Sequence, residues 1–217
     1  MTSDNSAGTS TKGGEDLRVL FQPLSIGSMR VENRLMLSPT GLGAYSADVV
    51  RYRENLESFV EARARGGAGL LLLCSMGPAD VSALPPGREQ GEWYRESLPV
   101  LRKLASIAHE HGARVGMQIV HTGRQGVTDD LYAPSPIPWS PRQPIPKELT
   151  PDEIQVVIER FGNAAAVLRE AGFDMVEIHG GHGYLVTEFM SPRSNARNDE
   201  YGGDFAGRIR FALEVAD

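Results

Sequence analysis

The chain has 217 residues, 41% of them hydrophobic, and a net charge of −6 from 22 basic and 28 acidic residues. That length suffices for one domain with its own core, and the acidic balance argues against a nucleic-acid partner. The single cysteine excludes a disulfide framework, and no apolar run reaches the ~20 residues of a membrane span, so we expect a cytoplasmic protein without a membrane partner.

The predicted elements alternate between strand and helix along the chain. Residues 1–17 are rich in Ser, Thr and Gly and predict a disordered N-terminal tail. Apolar runs predict strands over 34–39, 69–75, 114–120 and 174–178, and amphipathic patterns predict helices over about 55–65, 98–111, 151–171 and from 204 onward. The third helix has the clearest start, because Thr150, Pro151 and Glu153 form a capping box with proline at the first helical position.

This alternation predicts right-handed βαβ units with a parallel sheet. Two folds share the pattern: a doubly wound open sheet and a TIM barrel. A dinucleotide-binding open sheet needs Gly-x-Gly-x-x-Gly after its first strand, and Gly41 and Gly43 are not followed by the third glycine. The sequence therefore predicts an α/β protein that contains, over residues 18–217, about the first four βα units of a (β/α)8 TIM barrel.

Polar side chains gather where the predicted strands end, which is where TIM barrels carry their active sites. The first three strands contain or lead to Pro39, Thr40, Gly41, Cys74, Ser75, Gln118, His121, Gly123 and Arg124. The fourth leads to "HGGHGY", in which His179, His182 and Tyr184 share one glycine-rich turn. The two imidazoles and the phenol are polar groups at the end of a predicted strand, so this turn is the candidate active site.

The segment "FDMVEIHGGHGYLVTEFMSPRSNARNDEYGGDFAGRIRFALEV" resembles the signature region of the Old Yellow Enzyme family, the FMN-dependent ene-reductases. Four further stretches follow the order of that family: "LFQPLSIGSMRVENRLMLSP", "ARARGGAGLLLL", "GMQIVHTGRQG" and "APSPIPW". The five matches span residues 20–217. The two histidines before the tyrosine resemble the 2,4-dienoyl-CoA reductase-like subgroup.

The resemblance implies an enzyme that passes hydride from NAD(P)H through FMN to the activated C=C bond of an enone or enoyl thioester. It assigns His179 and His182 to the substrate oxygen and Tyr184 to proton donation. The flavin contacts that it implies are Pro39, Thr40, Gly41, Ser75 and Gln118. Gly41 departs from the family pattern, because Thr or Cys usually stands there, and Thr40 lies one position earlier.

Other interpretations stay open at this point. A metal-dependent hydrolase would use the histidines together with Glu177, but no second carboxylate follows at ligand spacing, so no metal site is predicted. Two further alternatives are an enzyme that carries out flavin-dependent N-demethylation on the same barrel and an inactive, truncated half barrel. The expected partners are a small-molecule substrate and further copies of the chain, since half a barrel exposes sheet edges and apolar helix faces.

Overall fold

The structure is a computed structural model that describes residues 16–40, 49–76, 79–82, 90–126 and 131–217. Gly41, one of the predicted flavin contacts, lies outside these ranges, as does the predicted tail up to residue 15. The described part begins with a short 3-10 helix, Asp16–Phe21.

The strands in the described residues are β1 (Leu24–Ile26), β2 (Met29–Val31), β3 (Met36–Thr40), β4 (Leu70–Leu73), β5 (Arg114–Ile119), β6 (Tyr132–Ala133), β7 (Lys147–Glu148) and β8 (Met175–Ile178). β3, β4, β5 and β8 form one parallel sheet in chain order, and each overlaps a predicted strand. β1 and β2 form an antiparallel hairpin, and β6 pairs with β7. Neither of these two small sheets is predicted from the apolar runs.

The helices are α1 (Val49–Arg65), α2 (Gln90–Glu110), α3 (Pro151–Glu170), α4 (Leu185–Met190) and α5 (Phe205–Ala216). The predicted capping box begins α3: the Thr150 hydroxyl accepts from the Glu153 N–H, and the Glu153 carboxylate accepts from the Thr150 N–H. α2 starts well before the predicted helix and continues through Pro99. Within the described residues, no helix combines the length and apolar character needed to span a bilayer.

The long helices cover only one face of the parallel sheet. α1, α2 and α3 contact one another in that order. The side chains of the covered face are fully buried: Leu71, Leu73, Val115, Met117 and Ile119. A doubly wound sheet has helices on both faces and a reversal of strand order. In the described residues this sheet has helices on one face and its strands in chain order, so its architecture is that of consecutive βα units of a TIM barrel, as predicted.

The other face of the sheet changes from apolar to polar toward the carboxyl ends of the strands. Gly116 makes room for an apolar layer, since a Cβ there would lie 2.6 Å from Cγ of Met175 and 2.9 Å from Cδ1 of Leu72. One layer further along, Nε2 of Gln118 donates to Oε1 of Glu177 at 2.6 Å. Side chains two residues apart in a strand lie on the same face, so Gln118 lies on the same face as Gly116, and Glu177 on the same face as Met175. The face therefore presents polar groups at the end where the strands lead into loops.

The hairpin β1–β2 lies at the opposite end of the sheet. Arg114, the first residue of β5, donates from Nε to the carbonyl oxygen of Arg30 in β2 at 3.0 Å. Its Nη1 also donates to Asp174, just before β8, at 3.0 Å. These contacts hold the amino ends of β5 and β8 in place. The loops that contain the candidate site residues follow the carboxyl ends.

Candidate active site

Three aromatic side chains meet at the carboxyl end of β8. His179 follows the strand directly, and its N–H donates to the carbonyl oxygen of Ile119 at 2.9 Å, which extends the pairing with β5. The ring centroid of His179 lies 4.9 Å from that of His182 and 5.0 Å from that of Tyr184. The rings of His182 and Tyr184 are 6.1 Å apart. The structure thus places the three predicted catalytic residues in one cluster, in which each pair of rings meets edge to face.

The two imidazoles are hydrogen-bonded to each other, with Nε2 of His179 3.1 Å from Nδ1 of His182. The Gly181 N–H donates to Nδ1 of His179 at 3.4 Å, which favours the His179 tautomer with its proton on Nε2. His179 then donates to Nδ1 of His182, and the Nε2–H of His182 remains for a ligand. The cluster therefore offers one imidazole N–H in this geometry, on the exposed histidine.

The environment of His179 favours its neutral form. Burial lowers the pKa of His179, the neighbouring imidazole of His182 lowers it further, and the carboxylate of Glu177 acts in the opposite direction. A neutral imidazole donates one hydrogen bond and brings no net charge. His179 therefore acts on a bound oxygen atom through hydrogen bonding rather than through a net positive charge.

The backbone that carries His182 is left-handed. His182 has φ 57°, the only positive φ of a non-glycine residue in the described ranges, and Gly183 has φ 73°. A Cβ at Gly183 would lie 2.7 Å from the ring of Trp139 and 3.1 Å from the amide nitrogen of Gln125. Glycine is therefore required at this position, both for its conformation and for the close approach of two side chains. This turn directs His182 outward and delivers Tyr184 to the start of α4.

A buried carboxyl group lies on the first turn of α4, next to the turn after β5. Glu188 has no exposed side-chain surface, and Oε1 accepts from the backbone N–H of Arg124 at 3.1 Å. Burial raises the pKa of Glu188 to about 8, against the opposing effects of the Arg124 N–H and charge. The guanidinium Nε of Arg124 is 3.7 Å from Oε1, longer than a hydrogen bond, so the ion pair does not compensate for the loss of hydration. This raised pKa favours the protonated form of Glu188 at neutral pH.

His121 links the turn after β5 to α4 and plays a structural role. It is buried, Nδ1 accepts from the Gly123 N–H at 3.0 Å, and its carbonyl oxygen accepts from the Leu185 N–H at 3.0 Å. Burial, with a smaller contribution from the charge of Arg160, lowers its pKa to about 3. Among the residues that the structure describes, no group of three His, Cys, Asp or Glu side chains is arranged to hold a metal ion.

The predicted flavin contacts that the structure describes lie at the same end of the sheet, on neighbouring strands. Pro39 and Thr40 end β3, with Thr40 exposed, and Ser75 follows β4 by two residues. Gln118 lies in β5, half-buried, and pairs in register with Glu177. An ionised carboxylate only accepts hydrogen bonds, so the amide nitrogen of Gln118 must face Glu177 and its oxygen must point elsewhere.

The sequence profile of the NADH:flavin oxidoreductase / NADH oxidase family matches residues 19–217. The chain belongs to this family. It is 40% identical over 200 residues to an NADPH dehydrogenase of Geobacillus sp. (strain WCH70), and the match covers 92% of this chain and 58% of that protein. It is 39% identical over 205 residues to an NADH oxidase of Thermoanaerobacter brockii, over 90% of this chain and 31% of that protein.

Among solved structures, the Old Yellow Enzyme from Pichia sp. AKU4542 superposes with a TM-score of 0.77 at 27% sequence identity. The superposition covers 91% of this chain and 55% of that chain. The family and the fold are therefore those that the resemblance implied. The chain spans little more than half of the NADPH dehydrogenase and of the Old Yellow Enzyme.

The Gln118 amide near the carboxyl end of β5 suits the polar edge of a flavin ring. The polar edge of an isoalloxazine ring has both N–H and C=O groups, and the Gln118 amide, with its nitrogen committed to Glu177, presents an acceptor oxygen. The open face of the sheet holds no helix over these groups in the described part of the chain. The family description pairs NADH with a flavin, which supports FMN as the cofactor.

Proposed function

We propose that this chain carries the substrate-binding and proton-donating part of an FMN-dependent oxidoreductase that reduces an activated C=C bond, in an enone or enoyl thioester. The observation that carries the proposal is the His179–His182–Tyr184 cluster beside the polar, open face of the sheet. When bound, FMN would carry the hydride from NAD(P)H to the substrate.

The role of the imidazoles follows from where charge develops. Hydride addition to the β-carbon of an enone leaves negative charge on the conjugated oxygen, and donors aimed at that oxygen stabilise the transition state by about 3–4 kcal/mol each. His182 offers Nε2–H directly. His179 offers a second N–H when the ligand oxygen takes the place of the hydrogen bond between the two rings.

The role of Tyr184 follows from its position next to the same oxygen site. The reduced substrate needs a proton on the carbon α to the carbonyl, and a phenol holds its proton at neutral pH. The Tyr184 ring lies against His179 at 5.0 Å, so its hydroxyl is delivered by the same turn that delivers the oxygen donors. The proton therefore goes from the Tyr184 hydroxyl to the α-carbon, and solvent restores it.

The test uses the whole flavin-loaded protein and a phenol as the probe. A phenolate held over the oxidised flavin gives a long-wavelength charge-transfer band, and imidazole donors favour the phenolate form. We expect the wild-type protein to give the band and the double variant His179→Ala/His182→Ala to lose it with FMN content unchanged. His111→Ala, which removes an exposed histidine beyond the end of α2, is the matched control and should keep the band. A band that survives the double substitution would show that these histidines do not hold the oxygen.

A further inference from the structure

One side chain from the turn after β5 contacts the backbone of the turn of residues 179–184, called the catalytic turn below. Nε2 of Gln125 donates to the carbonyl oxygen of His182 at 2.8 Å and to that of Gly183 at 2.9 Å. These carbonyls belong to consecutive residues with positive φ. A primary amide nitrogen has two N–H groups, so a single side chain satisfies both acceptors.

The left-handed turn needs such contacts. This conformation is unfavourable for a residue with a Cβ, so His182 adopts it only where its surroundings impose it. The two hydrogen bonds from Gln125 orient the two peptide planes that follow the His182 and Gly183 Cα atoms. They thereby set the direction in which the His182 side chain leaves the backbone and the point at which Tyr184 begins α4.

Gln125 is itself held in place by the loop that carries it. Its backbone N–H donates to the Thr122 carbonyl at 3.1 Å, which closes the 3-10 turn Gly123–Gln125. The N–H of Arg124 donates to the buried carboxyl of Glu188, and Nη1 of Arg124 donates to the Ile137 carbonyl at 3.1 Å. The amide of Gln125 is therefore directed at the catalytic turn by contacts that do not involve a ligand.

We propose that Gln125 is a positioning residue for the oxygen site: it acts through the backbone of His182 and sets the aim of that imidazole. This rests on the proposed function, because it concerns the same histidine pair. The contact joins residues 57 positions apart, and the family resemblance assigns this glutamine no role.

The experiment compares Gln125→Glu and Gln125→Ala with the wild type in the whole, flavin-loaded protein, with a phenol as the probe. Glutamate keeps the length of the side chain, but its ionised carboxylate cannot donate and repels the two carbonyl oxygens. Both variants should bind the phenol about 10-fold more weakly or worse, as expected for the loss of paired hydrogen bonds. The FMN content and the thermal midpoint should stay close to the wild-type values.

The matched control is Gln155→Ala. The amide nitrogen of Gln155 also donates to two acceptors, Tyr201 and Glu214, but on the far side of α3. This variant should bind the phenol as tightly as the wild type. Since it too loses a doubly donating glutamine, the comparison separates the aim of His182 from a general loss of stability.

The outcomes distinguish the two proposals. If the wild type gives no charge-transfer band, or the His179→Ala/His182→Ala variant keeps it, the proposed function is wrong and the inference falls with it. If the histidines behave as expected but Gln125→Glu binds the phenol like the wild type, the positioning role alone is wrong. It is equally wrong if the Gln125 variants lose FMN and phenol affinity in parallel, because that pattern indicates a general structural role.

Discussion

Replacing Glu188 with Gln should remove a pH dependence of stability that the wild-type protein carries. The folded protein holds the Glu188 proton up to a pKa of about 8, whereas the ordinary pKa of a glutamate side chain is 4.5. Between these pH values the folded state binds more protons than the unfolded state, so the stability must fall as the pH rises. Above pH 8 the carboxyl is ionised in both states and this contribution to the slope ends.

The magnitude follows from the same two pKa values. The pKa difference, at about 1.4 kcal/mol per unit, corresponds to about 4–5 kcal/mol of unfolding free energy lost between pH 4.5 and pH 8. Glutamine does not titrate and fills the same space. The unfolding free energy of Glu188→Gln, relative to that of the wild type, should therefore rise by several kcal/mol from pH 5 to pH 9. Urea unfolding of both proteins across this range measures the difference, in which the other titrating groups cancel.

Glu153→Gln is the control for this experiment. Hydrogen bonds from Lys147 and Thr150 lower the pKa of Glu153 to about 2, so this group contributes stability that is present above the ordinary glutamate pKa of 4.5 and lost only below it. Between pH 5 and pH 9 its variant should differ from the wild type by a constant amount. Parallel curves for Glu188→Gln and the wild type over that range would refute the reasoning, since they would mean that Glu188 is already ionised at pH 5.

Two further substitutions probe a buried guanidinium and the turn that carries His182. Arg197→Ala removes a buried guanidinium that donates to the carbonyl oxygens of Pro134 and Leu149, at 3.0 and 2.6 Å, and should lower the free energy of unfolding by about 3 kcal/mol in urea titrations; a change below about 0.5 kcal/mol would contradict a structural role. Gly183→Ala places a Cβ 2.7 Å from the Trp139 ring in a left-handed conformation and should weaken phenol binding. Adding Trp139→Ala should restore only the part of the phenol affinity that is lost to the clash. Full restoration would mean that the left-handed conformation of residue 183 has no cost for alanine.

The elements that the sequence predicts well are those set by short-range patterns. Helix ends are an example: α1, α2 and α3 each stop at a glycine with positive φ, at Gly67 (90°), Gly112 (77°) and Gly172 (92°). The start of α2 is different, because Pro99 has no N–H to donate and its ring crowds the preceding turn, which locally favours a helix boundary. The helix nevertheless includes Pro99 and begins at Gln90, because it packs against α1 and the sheet.

The hairpin β1–β2 has a local signal in its turn rather than in its strands. The two-residue connection Gly27-Ser28 separates "LSI" from "MRV", and Gly27 has φ 59°. A glycine-first pair between apolar runs is typical of tight hairpin turns. The strands are only three residues long, too short for alternation to identify them.

In the candidate site, too, the sequence predicts the residues that are close along the chain but not the contacts between distant loops. The sequence places His179, His182 and Tyr184 together because they share one short turn at the end of a predicted strand. The contacts behind this turn depend on the tertiary structure: Gln125 donates to the backbone of this turn, and Glu188 accepts from the N–H of Arg124, next to Gln125. No spacing rule connects loops that lie so far apart along the chain. A signal for Glu188 does exist, since it is the single charged residue in the apolar helix "LVTEFM".

The most direct test of the account is the Tyr184→Phe variant of the whole, flavin-loaded protein, followed by stopped-flow absorbance of the flavin. Phenylalanine keeps the ring contact with His179 and removes only the acidic hydroxyl. Reduction of the flavin by NAD(P)H should proceed at close to the wild-type rate, whereas reoxidation by an enone should slow by about 10²–10⁴-fold, the usual effect of losing a general acid. Equal slowing of both half-reactions, or an unchanged rate with the enone, would contradict the assignment of Tyr184 as the proton donor.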